Sequence, residues 1–232
     1  MTEPNVKRQY RSAVREQRRV QTRADIRAAA GRLFVRDGYV ATSMRAIATE
    51  AGVGERTMYD AFPTKSALYA HCLGVAIVGD ELDIAAIDRD AYAEALGHQD
   101  PVEILTATVD FNVALLDRAG ALIFVGVEAQ AAEPELRAMG REAEKATHDF
   151  YRKLAVALKR RGALPVGMTI TTAADIAFAL GSPFVHRLLR HERGWSTARY
   201  RTWLITTLQQ QLLTAPSPMT KGLPSPRRGS RP

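Results

Sequence analysis

Glu55, Arg56, Thr57, Tyr59 and Asp60 surround a single apolar residue, Met58, and Phe62 follows Met58 by four positions. At 100° per residue in a helix, Met58 and Phe62 point inward together. Arg56, Thr57, Tyr59 and Asp60 then lie outward, with Glu55 lateral in the first turn. That polar side suits the edges of base pairs. An arginine fork matches the two acceptors of a guanine, a carboxylate accepts from a cytosine amine, and a threonine methyl meets that of a thymine. The first-turn residues of a helix in a major groove come nearest the bases, so Glu55, Arg56 and Thr57 are candidate readers, with Arg45 a further one. Glu55 and Asp60 leave two roles open: they read cytosine, or they pair with Arg45 and Arg56 and orient those side chains.

The elements that must position these residues follow from spacing. Met44, Ile47, Ala48 and Ala51 recur on one helical face, Gly52 breaks the pattern, and Met58 with Phe62 resumes it, which is the grammar of a helix-turn-helix. Ahead of it, Ile26, Ala29, Ala30, Leu33 and Phe34 form an apolar stripe that predicts a helix from about Thr22 to Arg36, with Gly38 as its left-handed stop. Ser43 is placed as N-cap of the second helix, which ends at Gly52. Val53 or Gly54 opens the third, which ends near Phe62 at Pro63, and Thr64 caps the next.

The run Ile26, Ala30, Phe34, Gly38, Tyr39, Ser43, Ile47, Ala48, Ala51, Gly52, Val53, Tyr59, Phe62, Lys65 and Leu68 resembles the N-terminal domain of the tetracycline-repressor (TetR) family of bacterial regulators. The resemblance covers about the first third of the chain. It implies an all-α fold, a helix-turn-helix domain followed by a larger helical domain for effector binding and dimerisation. It also assigns phosphate contacts to Ser43, Tyr59 and Lys65. The chemistry agrees: Ser43 and Thr64 stand at helix starts where free N–H groups attract anions, Lys65 adds a full charge, and the Tyr59 hydroxyl donates. Two positions depart from the family pattern. Gly54 stands where a serine is frequent, and Ala61, where histidine or tyrosine is frequent, offers no side-chain hydrogen bond.

The resemblance implies a homodimer on a pseudo-palindromic double-stranded operator, because one such unit covers few base pairs. It places a four-helix contact between subunits in the C-terminal helices, where Leu188, Tyr200, Trp203, Leu204 and Leu208 are candidates, with packing inside one chain as the alternative. It further implies a small-molecule effector pocket among the middle helices, for which Phe111, Phe124, His148, Tyr151 and Phe178 are candidate lining residues, with plain core as the alternative. The function implied is a ligand-responsive regulator, a repressor released from its operator. The rivals are a DNA-binding regulator without an effector and a helical enzyme.

Elsewhere the helical pattern runs from Lys65 to about Leu96, from Pro101 to Asp117, from Gly120 to Ala132, from Pro134 to Arg161, from Thr171 to about Arg190 and from Ser196 to about Thr214. With 232 residues, 46% of them hydrophobic, a buried core is within reach. The domains expected are a basic flexible arm over 1–21, the helix-turn-helix domain over 22–69, the effector and dimerisation domain over 70–214, and a disordered Pro/Arg-rich tail over 215–232. The +7 charge is concentrated in Lys7, Arg8, Arg11, Arg15, Arg18, Arg19, Arg23 and Arg27, a run suited to phosphates. No apolar run is long enough for a membrane span, and the start lacks the apolar middle of a secretory signal, so the expected location is the cytoplasm. Cys72, the single cysteine, excludes an intrachain disulfide and reads as core, with redox sensing as the alternative.

No catalytic or metal constellation emerges, and neither a cofactor nor enzymatic activity is expected. Asp80, Glu81, Asp83, Asp88 and Asp90 have no histidine at ligand spacing and read as a solvated face. His186 and His191, five apart on a helix, are expected to point to different faces. Gly52-Val53-Gly54 follows a helix instead of a strand, which argues against a phosphate loop.

Overall fold

The computed structural model describes the backbone of residues 4–79 and 90–214, and the side chains of these from residue 14 on. Among the described residues every regular element is helical: α1 (Pro4–Asp37), α2 (Met44–Glu50), α3 (Glu55–Ala61), α4 (Lys65–Val78), α5 (Asp90–Gly97), α6 (Pro101–Ala129), α7 (Pro134–Arg160), α8 (Ile170–Leu180), α9 (Pro183–Arg187) with a π-helical turn over Leu188–Glu192, and α10 (Thr197–Leu212).

Local chemistry explains most boundaries. The Ser43, Thr64, Thr169, Ser182 and Ser196 hydroxyls each accept from a backbone N–H three residues on, and the Asp100 carboxylate accepts from that of Val102. Gly38 (φ 82°) and Gly52 (φ 66°) stop α1 and turn α2 into α3 in the left-handed region that glycine enters without a Cβ penalty.

Four expectations from periodicity fail, each for a physical reason. The first helix begins at Pro4, far before Thr22, so the stretch expected as a flexible arm is helical. That stretch is rich in good helix formers, whose intrinsic preference extends the helix ahead of the dense apolar stripe from Ile26 used to set its start. The helix expected to run on to Leu96 stops at Gly79, whose φ of 89° is incompatible with continuation. Gly120 does not divide Pro101–Ala129, because the surrounding Leu116, Ala119, Leu122 and Val125 are all buried and hold the helix through it. The segment from Thr171 breaks at Gly181-Ser182-Pro183, where Ser182 caps a new helix opened by Pro183. There the Gly181 carbonyl accepts from both Asn112 Nδ2 (3.1 Å) and the Tyr151 hydroxyl (3.2 Å), and a Cβ on Gly181 would collide with that hydroxyl. The acidic positions 80–88 and the tail 215–232 lie outside the described residues.

Two cores result. One joins Ile26, Ala30 and Phe34 of α1 with Ile47, Met58, Phe62, Leu68 and Tyr69, and continues into Leu122, Val125 and Ala129 of α6 and Leu136 of α7. The other lies among α5, α6, α7, α8 and α10, around Leu105, Leu154, Ala177, Tyr200 and Leu204. Helix α6 belongs to both. At the junction the Tyr69 hydroxyl donates to the Leu122 carbonyl at 2.8 Å, and Gly126 lets that ring approach, since a Cβ there would collide with it.

Candidate nucleic-acid interface

Helix α3 is short and poor in intrinsic stability, so its placement depends on what lies beneath it. Met58 and Phe62 are buried against Ile47 and Ala48 of α2 and against α1. The turn between α2 and α3 is closed by hydrogen bonds from the Gly52 N–H to the Thr49 carbonyl (3.1 Å) and from the Val53 N–H to the Ala48 carbonyl (3.0 Å). Arg23 adds a tie that sequence reasoning had assigned to phosphate. Its guanidinium sits 4.2 Å above the Phe62 ring and donates to the Ala61 carbonyl at the C-terminal end of α3. An arginine facing an aromatic one helix away was not legible without the fold.

Above this base, Glu55, Arg56, Thr57, Tyr59 and Asp60 are all exposed, Arg56 with 95% of its side chain and Arg45 with 85%. Arg45 lies 3.5 Å from Glu55 and Arg56 lies 3.9 Å from Asp60. Exposed pairs of this kind contribute at most about 1 kcal/mol, so they bias the arginines without locking them, and incoming bases can displace the carboxylates. In the free protein Glu55 and Asp60 thus stand beside Arg45 and Arg56, an arrangement compatible with either of the two roles.

The phosphate candidates divide. The Ser43 Oγ accepts from the Ala46 N–H at 3.1 Å and the Thr64 Oγ1 from the Ala67 N–H at 3.0 Å, so both hydroxyls are fixed at helix starts. Tyr59 is exposed. Lys65 is engaged from below: its Nζ donates to the carbonyls of Tyr39 (3.0 Å) and Thr42 (3.2 Å) and lies 4.2 Å above the Tyr39 ring. An ammonium has three donors, so one remains for a phosphate while the other two tie down the loop that leads into Ser43.

The residues expected to line an effector pocket have different surroundings among the described residues. Phe111 stacks beside Phe150, and Tyr151 is buried in the same core with its hydroxyl on the Gly181 carbonyl. His148 pairs with Asp175 at 3.1 Å, next to Phe178 and half-exposed. Phe124 lines a cleft with Arg187, His186 and His191.

The five dimer candidates divide as well. Tyr200, Leu204 and Leu208 are wholly buried inside one chain, on the side of α10 that meets α6 and α8, so they have no surface to offer a partner. Leu188 is 47% exposed, and Trp203 lies with Trp195, Ala198 and Thr202 along an open groove on the outer side of α10. His186 and His191 also differ from expectation. Their ring centroids are 6.0 Å apart, because the π-helical turn, with its Arg193 N–H to Leu188 carbonyl bond of 2.9 Å, brings residues five apart onto one side.

Cys72 is buried with its Sγ on the Arg27 carbonyl, and burial pushes its thiol up to about 12, the opposite of a reactive sulfur. Among the described residues no group of three or more His, Cys, Asp or Glu could hold a metal ion, and no helix is long and apolar enough to cross a membrane.

Residues 26–72 match the family described as bacterial regulatory proteins, tetR family. Among solved structures, a chain described as a transcriptional regulator from Saccharomonospora viridis, in complex with choline, is 21% identical with a TM-score of 0.67, the alignment covering 84% of this chain and 100% of that one. NalD, the secondary repressor of the MexAB-OprM multidrug efflux pump in Pseudomonas aeruginosa, is 23% identical with a TM-score of 0.64, over 83% of this chain and 96% of its own. A SmeT–triclosan complex is 18% identical with a TM-score of 0.66, over 88% and 99%. A search of curated proteins finds no match. At these identities the solved structures share the fold, and the matched residues 26–72 span the end of α1 and the helix-turn-helix through α4.

Proposed function

We propose that the chain is a transcriptional regulator of the tetR kind, which binds a pseudo-palindromic operator as a homodimer and represses from it, a small molecule releasing it. Arg45, Glu55, Arg56 and Thr57 read bases, and Ser43, Tyr59, Thr64 and Lys65 hold phosphates. The observation that carries this reading is the outward polar side of α3, exposed above a buried Met58 and Phe62. The residues proposed to dimerise are Leu188 and Trp203, with the Trp195, Ala198 and Thr202 groove beside them.

Release would be a population shift, in which a ligand that binds better to the conformation with mismatched recognition helices lowers DNA affinity by that difference alone. The shared core through α4, α6 and α7 supports such coupling, since a shift of α6 moves Leu122, Val125 and Ala129 against the reading unit. The ligand complexes of the choline-bound and triclosan-bound relatives support the same class of behaviour. A second reading, DNA binding without an effector, is favoured by the packing of Phe111 and Tyr151 into solid core.

The test is a titration of operator and scrambled duplexes. Arg56→Ala is expected to weaken operator binding by about 1 to 3 kcal/mol, the worth of a bidentate base contact, and to leave the scrambled duplex unchanged. Equal losses on both duplexes refute the reader assignment.

A further inference from the structure

Helix α6, α9 and the π-helical turn enclose a cleft of about 160 Å³, lined by Gly120, Ala121, Phe124, His186, Arg187 and His191. An apolar cavity of about 150 Å³ admits one benzene, so this volume suits a single aromatic ring with a small substituent. Phe124 supplies an aromatic wall, with the Arg187 guanidinium stacked over its ring 4.4 Å from the centroid and Phe184 edge-on to it at 5.4 Å.

The polar group of the cleft is His186, only 2% exposed, with its Nε2 3.2 Å from Asp117 Oδ1. The carboxylate also accepts from Thr197 Oγ1 (3.0 Å) and stands 3.5 Å from Arg190 Nε. An ionised carboxylate only accepts, so Nε2 carries the proton and Nδ1 presents a lone pair. Burial, against the pull of Asp117, keeps the imidazole toward its neutral form, with Arg190 and His191 acting in the same direction.

Nδ1 has no hydrogen-bond partner among the described residues and faces the backbone of Gly120, where a Cβ would lie 3.8 Å from Nδ1 and 3.9 Å from Cε1. That glycine is notable because it stands inside a 29-residue helix, where alanine is intrinsically favoured and would fit at ordinary contact distance. The absence of that Cβ leaves the Nδ1 edge of His186 less crowded where Gly120 lines the cleft.

We propose that this cleft binds a small phenol, its ring against Phe124 and its hydroxyl donating to His186 Nδ1. Arg187, whose carboxylate partners Glu128 (3.4 Å) and Glu192 (4.0 Å) are both well exposed, and the nearby His191 favour the more acidic phenols. A metal ion is disfavoured, since two imidazoles make an incomplete ligand set and Arg187 places a positive charge at the wall. Binding stands on the cleft alone, and only its use as the effector site rests on the regulator proposed above.

Calorimetric titration of the full chain with phenol and with anisole, which keeps the ring but lacks the donor, tests the site. Phenol is expected to bind about tenfold or more tightly than anisole. Gly120→Ala is expected to lose that binding by tenfold or more while Tm holds or rises by roughly 2–4 °C, and Phe124→Ala is expected to weaken it. Equal affinities for the two probes, an unchanged affinity in Gly120→Ala, or displacement of phenol by micromolar Zn²⁺ each overturn the proposal. Phenol that binds while operator affinity stays constant upholds the site and removes the effector role. Arg56→Ala, which acts on DNA alone, leaves phenol affinity unchanged.

Discussion

The reading unit and the C-terminal helices use their large side chains in opposite ways. In α2 and α3 the long aliphatic side chains, Met44, Ile47 and Met58, are buried and serve to present a polar side to the surface. In the C-terminal domain the residues that look functional by type are largely structural: Tyr151, Tyr200, Leu204 and Leu208 are core, and Tyr92 is buried with its hydroxyl on the Phe150 carbonyl. A seven-residue helix has one face to bury and one to show, whereas a helix in a multilayer bundle has several neighbours. Residue type therefore assigns roles in the first case and leaves them undecided in the second.

The contrast is sharpest at neighbouring positions of α10. Leu204→Ala is expected to cost about 2 to 5 kcal/mol of stability in denaturant unfolding, the range for a buried leucine. Trp203→Ala is expected to change the concentration dependence of the oligomer with little effect on m-value. If Leu204→Ala dissociates a dimer without lowering monomer stability, α10 is placed the wrong way round. The joint between the regions comes next: Gly126→Ala forces the Tyr69 hydroxyl off the Leu122 carbonyl, and a loss of about 1 to 3 kcal/mol is expected by thermal unfolding.

Lys65 blurs the division, because it belongs to the interface by position and to the fold by its bonds. Lys65→Ala is expected to weaken operator and scrambled duplexes alike and also to cost about 1 to 2 kcal/mol of stability through the Tyr39 and Thr42 carbonyls. Unchanged unfolding with weakened DNA binding would return it to a pure phosphate contact.

Two titrating groups give the smallest effects. With its thiol held near 12, Cys72 is about one part in ten thousand thiolate at pH 8, and a disulfide reagent is expected to label it only after unfolding. His186 is depressed below its ordinary 6.5, chiefly by burial. The unfolded chain therefore takes up the proton first. The stability linked to this group is intact above about pH 6.5 and is lost as pH falls through the lower folded value. His186→Gln is expected to flatten that part of the denaturation profile, and an unchanged acid slope would show the imidazole to be unburied.

Local pattern located α2 and α3, the Ser43 cap of α2 and the Thr64 cap of α4, because a local hydrogen bond and a short apolar face suffice to define them. The same criterion overran at Gly79 and Gly181 and stopped early at Gly120. A glycine ends a helix or lies within it according to what packs there: Tyr151 and Asn112 converge on Gly181, whereas buried leucines carry α6 through Gly120. The tie from Arg23 to α3 and the pairing of His186 with Asp117 span 38 and 69 residues and leave no trace in local spacing.

By itself, then, the sequence determined the helical class, the short helix α3 and the residues it turns outward, since each depends on contacts within a few positions along the chain. Only the tertiary structure decided which aromatic and leucine side chains are core. It also decided that Lys65 and Arg23 are partly consumed by carbonyls, and that His186 and His191 share a cleft. Those outcomes depend on which helices become neighbours, and burial against a distant partner is a property of the packed whole.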